Sequence, residues 1–172
     1  FCFAGNSRDD RALEYVLQYH VNARTYQYGI GRKFDIDRFR SWLNQQIQTK
    51  QFSVLMLHSV LDDYNGYDPL PREEEDFELL LELLNSRRDV LWVDTFAAIS
   101  KYVALRENAT IEFLNDGAKF VVKSDLDAEV YDVPLTVEIR QGDDVWYQDV
   151  RVNEVIDWSA VRSPVNGFKD GE

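Results

Sequence analysis

The apolar positions of the first hundred residues alternate between two periods. Leu13, Val16 and Leu17 fall on one helical face behind Asp9 or Asp10, either of which can cap the helix. His20 closes that helix, and residues 21–26 suit a short strand that Gly29 and Gly31 break. Asp35 or Asp37 can cap a second helix, in which Phe39, Trp42, Leu43 and Ile47 recur at helical spacing. Residues 52–58 then form an apolar run that ends in His58 and reads as a buried parallel strand. A loop rich in Asp, Asn, Gly and Pro occupies residues 61–72, long enough to suggest a functional role.

The helical pattern is clearest over residues 73–85, where Phe77, Leu80, Leu81 and Leu84 follow the i, i+3, i+4, i+7 template. Glu73, Glu74, Glu75 and Asp76 lie in its first turn and Arg87 and Arg88 beyond its end, both suited to the helix dipole. Residues 90–93 read as a short strand, and Asp94 or Thr95 as the cap of a helix carrying Phe96, Ile99 and Tyr102 or Val103. The order αβαβαβα belongs to a parallel sheet with crossover helices, either a barrel or a doubly wound piece. Near Arg106 the period shifts to two. Residues 110–114 and 119–122 flank Asn115-Asp116-Gly117, and residues 134–140 and 145–152 flank Gln141-Gly142-Asp143-Asp144, which predicts two hairpins. The boundary is therefore set at 106. Residues 1–106 form the α/β part and 107–172 a small antiparallel β module, with a frayed tail from Ser163.

Charge narrows the functional classes. The net charge of -12 argues against nucleic-acid binding, which needs clustered Lys and Arg. No apolar run reaches the roughly 18 residues of a membrane helix. The single cysteine, Cys2, excludes an intramolecular disulfide. The chain opens on Phe1-Cys2-Phe3 without an initiator Met or a leader, so an upstream segment is expected to have been removed.

Candidate chemistry concentrates on His58. At the C-terminal end of a parallel strand, where α/β folds place their sites, an imidazole can act as a general acid, or it can simply satisfy a loop carbonyl. His20, His58 and Cys2 show no zinc spacing. Residues 62–68 are acidic but lack EF-hand spacing and its bidentate Glu, so a solvated loop competes with a calcium loop. Neither a Gly-x-x-x-x-Gly-Lys loop nor a Gly-x-Ser-x-Gly elbow occurs.

Several of these motifs, in this order, resemble the C-terminal half of the polysaccharide deacetylases, the NodB-homology domains of carbohydrate esterase family 4. They are Val54-Leu55-Met56-Leu57-His58, the acidic-aromatic loop, residues 77–84, and Trp92-Val93-Asp94-Thr95 with Tyr102. Phe1-Cys2-Phe3-Ala4-Gly5 is similar to the family's aromatic-x-aromatic-Pro-x-Gly turn, and Asn22-Ala23-Arg24-Thr25-Tyr26 to its Ala-Arg strand. Tyr131-Asp132-Val133-Pro134-Leu135-Thr136 resembles the β extension of some bacterial members. The resemblance implies the C-terminal part of a distorted (β/α) barrel followed by a small antiparallel β module. It implies hydrolysis of N- or O-acetyl groups on a glycan by a metal-bound water, with zinc the foremost divalent metal, and an extracytoplasmic location.

By the same resemblance, His58 is the general acid, Met56 lines the pocket for the acetyl methyl, and a backbone N–H near Ala4 or Gly5 stabilises the oxyanion. Ala4 and Met56 depart from the family's usual proline and leucine. The family's Asp-Asp and His-x-x-x-His motifs, which carry the base and the metal ligands, lie upstream of the matching region. This chain is therefore expected to hold no catalytic metal alone, and to need the missing half or self-association through an edge near Phe1–Phe3. A competing expectation is a non-catalytic carbohydrate-binding or adhesion module, with aromatics in residues 64–67, or Trp146 and Tyr147, stacking on sugars.

Overall fold

In a computed structural model, residues 1–60, 68–114 and 117–158 are described. The chain forms two compact units, Phe1–Thr95 and Phe96–Glu172. The division falls ahead of the change in texture at Arg106, because the helix that precedes the hairpins packs with them.

The first unit contains helix α1 (Asp10–Leu17), strand β1 (Tyr28–Ile30), helix α2 (Ile36–Thr49), strand β2 (Leu55–Leu57) and helix α3 (Glu73–Asn85). Of the alternative caps, Asp9 and Asp35 are used. Asp9 Oδ1 accepts from the Ala12 N–H at 2.7 Å, and Asp35 Oδ1 from the Arg38 N–H at 2.8 Å. β1 and β2 pair in parallel through α2, with Tyr28, Gly29 and Ile30 opposite Leu55, Met56 and Leu57. The core beside this pair is Ile30, Phe39, Leu43, Leu70 and Leu80, with Tyr28, Trp42, Leu55, Leu57, Phe77 and Leu84 packed around it. Phe39 is its centre, fully buried, with ring centroids 5.6 Å from Tyr28 and 5.5 Å from Trp42. Burial raises the Tyr28 phenol above its ordinary pKa against the opposing pull of the Arg38 guanidinium.

Several expectations need correction. Residues 21–26 do not form a strand. Arg24 makes a single parallel bridge to Cys2, and the Asn22 side chain accepts from the next backbone N–H at 2.7 Å, a local bond that competes with ladder formation. Gly29 does not break the strand but lies inside it. A Cβ there would sit 3.8 Å from the Met56 methyl, so the missing side chain leaves that space to Met56. The strand read over 52–58 shortens to Leu55–Leu57. Residues 90–93 form no strand, and Val90, Trp92 and Val93 are exposed while Leu91 reaches the core. Their composition suits a sheet, but no strand pairs with them among the described residues. Leu81 is also exposed, and Leu83 packs at the core in its stead.

The acidic first turn of α3 does more than complement the dipole. Asp76 is 3% exposed, and Arg72 holds its carboxylate through three bonds. The backbone N–H donates at 2.9 Å, Nε at 2.9 Å and Nη2 at 2.6 Å. A buried charge is tolerated when paired and hydrogen-bonded in this way.

The second unit begins with helix α4 (Phe96–Asn108), followed by β3 (Ala109–Leu114), β4 (Lys119–Ser124), β5 (Leu135–Gln141), β6 (Asp144–Val150) and β7 (Val155–Asp157). Both expected hairpins form, as the antiparallel pairs β3–β4 and β5–β6. The second turns through Gly142-Asp143, with φ 63° at Gly142, the positive φ that a two-residue hairpin loop of this kind requires. β7, which the hydrophobic pattern did not announce, completes a sheet ordered β3-β4-β7. Leu105 of α4, Phe120 and Val122 of β4, Leu135 of β5 and Val150 of β6 form the core. On the outer face of β5–β6, Thr136 Oγ1 donates to Asp149 at 2.7 Å and the Tyr147 hydroxyl to Glu138 at 3.2 Å. The Lys101 ammonium donates to Asp132 at 2.8 Å and holds that carboxyl below its ordinary range.

Two outcomes follow. Phe39→Ala removes the ring on which β1 and α2 meet and lowers stability by about 3–5 kcal/mol in urea unfolding; a loss below about 1 kcal/mol would show that the ring is not central. A depressed carboxyl stabilises the fold above its unfolded pKa and loses that contribution as pH falls through the folded value. The stability gap between the native protein and Asp132→Asn is therefore full at neutral pH and closes as pH drops below the ordinary carboxylate range. A gap independent of pH would contradict the ion pair.

Candidate functional site

Side chains alternate across a strand, and here the alternation sorts β2 into two sets. Leu55 and Leu57 pack on the core beside Tyr28 and Ile30. Met56 points to the opposite face, where it lies over Gly29. His58 lies one step past the end of the strand, where the chain bends, and it is exposed. Of the sequence-predicted residues, Met56 thus faces away from the core within β2, and the acid-base candidate follows two residues on, at the C-terminal end of a parallel pair. That is the end at which ligands bind in open α/β sheets.

The rim around His58 is built by close backbone contact. Ser59 is buried and bridges in parallel to Pro69, also buried. Asp68 takes a left-handed conformation, φ 48°, which an aspartate adopts more readily than most residues. Its carboxylate lies over Gly31, just beyond β1, and accepts from the Arg32 N–H at 2.9 Å. A Cβ on Gly31 would overlap that carboxylate and lie 2.8 Å from the Asp68 carbonyl oxygen. Gly31 is therefore glycine for space. Asp68 and Gly31 form a contact at this rim that sequence reasoning missed. The signal available was a glycine directly after an apolar strand, read there as a breaker.

Ala4 and Gly5 lie elsewhere, in a short 3₁₀ turn, Ala4–Asn6. Gly5 and Asn6 both have positive φ, 58° and 56°. The turn uses the amides of Asn6 and Ser7 for its own bonds, to the carbonyls of Phe3 at 3.1 Å and Ala4 at 3.2 Å. The Ala4 and Gly5 amides take no part in those two. The turn is tied to the 22–24 segment. The Arg24 N–H donates to the Phe1 carbonyl at 2.8 Å, the terminal amine to the Asn22 carbonyl at 2.9 Å, and Arg24 Nη2 to Asn6 Oδ1 at 3.2 Å. The structure places Met56 in β2 and His58 one step beyond it, then, and holds Ala4 and Gly5 on a separate segment.

Among the described residues, no group of three or more His, Cys, Asp and Glu side chains is placed to hold a metal ion. The calcium-loop candidate and the aromatics of 64–67 lie outside the described residues. Of the other aromatics proposed for sugar stacking, Trp146 is half-buried and Tyr147 is exposed with its hydroxyl on Glu138. Among the described residues, no helix is long and apolar enough to cross a membrane. No family model, curated protein or solved structure matches the chain.

The packing at the rim is directly testable. Gly31→Ala forces Asp68 away from Arg32 and lowers stability by roughly 1–3 kcal/mol, as overpacking does, whereas Gly29→Ala meets only ordinary contact with Met56. Equal unfolding midpoints for Gly31→Ala and the native chain would show that the Asp68 contact does not constrain this rim.

Proposed function

We propose that the chain is the C-terminal portion of a carbohydrate deacetylase that hydrolyses N- or O-acetyl groups on a glycan, with His58 as its general acid. The observation that carries this reading is the position of His58: exposed, one step beyond the C-terminal end of a parallel strand in which Met56 faces away from the core. In acetyl transfer to water the departing amine or alkoxide leaves poorly unless it is protonated. An imidazolium beside the leaving group supplies that proton in the transition state. Met56 offers a flexible apolar surface of the size an acetyl methyl needs. A backbone N–H at Ala4 or Gly5 is the candidate donor to the oxyanion.

The reading includes a distorted (β/α) barrel of which β1–α2–β2 is one crossover unit, with an extracytoplasmic location. In the complete domain a divalent metal such as zinc would polarise the carbonyl and activate water. The donors described here do not form its ligand set, so the portion that supplies those ligands is part of the proposal.

The test is acetate release from an acetylated glycan by the full-length protein, comparing native with His58→Ala. Loss of a general acid lowers kcat by about 10²–10⁴-fold, with glycan binding retained. Unchanged turnover in a folded variant would end the assignment of His58, and intact glycan binding by a full-length protein that never releases acetate would favour a binding module.

A further inference from the structure

We infer that the β3 edge of the second unit pairs with β3 of a second copy, joining two chains through one continuous sheet. The inference starts from an imbalance across one ladder. Ile111 faces Val122 and Phe113 faces Phe120 in the β3–β4 register. Directly opposite residues of an antiparallel pair share a sheet face. Phe120 and Val122 are buried in the core, yet Ile111 is 50% exposed and Phe113 is 68% exposed. The apolar face of the sheet therefore continues past its cover onto β3. In the order β3-β4-β7, β3 is also an edge, six residues long, with one side of its backbone unmatched by any strand among the described residues. A long edge strand with apolar side chains is a template for another strand.

The composition of β3, Ala109-Thr110-Ile111-Glu112-Phe113-Leu114, selects a second copy and a register. A two-fold axis through Ile111 sets it against Ile111 of the second copy. Phe113 then lies opposite Ala109 of that copy, large against small, and Glu112 lies opposite Thr110, a hydroxyl. Moving the axis to Glu112 would set two carboxylates face to face, which disfavours pairing. Placing the axis between residues would mix apolar with polar side chains on one face. One register alone buries Ile111 and Phe113 of both copies while separating the acids, and its closed symmetry limits growth to a dimer. The contact is one strand edge with two large apolar side chains from each chain, so the dimer is small and concentration-dependent.

Sedimentation velocity and light scattering on the whole chain, across a dilution series, test this. The expected result is a shift from the 20.1 kDa monomer toward twice that mass as concentration rises. Ile111→Lys with Phe113→Lys places like charges across the axis and weakens the dimer on the order of a hundredfold or more. Both positions are exposed in the single chain, so circular dichroism should be unchanged. Val155→Lys, an exposed position on the opposite edge strand, should leave the dimer intact. A native chain that stays monomeric throughout overturns the inference. So does a dimer that survives the double lysine variant, which would place the contact at another surface such as the Phe1–Phe3 edge.

Discussion

The first unit depends on one aromatic ring. Phe39 is fully buried, with Tyr28, Phe34 and Trp42 all in ring contact with it. A three-residue parallel pair is too short to be stable by its own hydrogen bonds. It persists because Tyr28, Ile30, Leu55 and Leu57 are drawn onto the hydrophobic stripe of α2, and Phe39 is where that stripe meets the sheet. Asp35 adds to this by fixing where α2 begins, which sets the rotation of Phe39 toward the sheet.

Around that apolar centre, charged groups fix the chain between β2 and α3. Asp68 ties the end of the long loop to the backbone after β1, and Ser59 bridges Pro69. Leu70 enters the core, and Arg72 grips buried Asp76. Four successive anchors of different kinds hold the approach to α3, so the rim beside His58 does not rest on any one of them. Removing Arg72 would leave the buried Asp76 carboxylate without its counter-charge, the costly way to break such a pair, whereas Arg72 is exposed and keeps Glu75 beside it.

Local rules made much of this legible. Helices α2 and α3 follow from apolar spacing, their starts from Asp35 and from the acidic run, and the β5–β6 hairpin from Gly142-Asp143 between alternating segments. The same rules failed where a partner decides the outcome. Residues 90–93 have strand composition and no strand to pair with, whereas β7 is only three residues long and forms because β4 offers an edge. Gly29 looks like a breaker locally and becomes a strand residue because Met56 fills its space. At the candidate site, His58 was legible from its place after an apolar run. The Asp68–Gly31 contact was not, because it joins residues distant in sequence through a left-handed aspartate.

The histidine sits between two sets of core contacts. Leu55 and Leu57 pack on the core ahead of it, which leaves Met56 on the other side of the sheet, and Val60 packs on the core behind it. Inserting a residue between Leu57 and His58 would leave Leu55 and Leu57 on the core but would draw Ser59 out of its bridge to Pro69 and Val60 off the core. The length of chain at this junction is thus clamped from both sides, by β2 ahead of the imidazole and by Ser59 and Val60 behind it, so the reach of His58 cannot vary without loosening the fold.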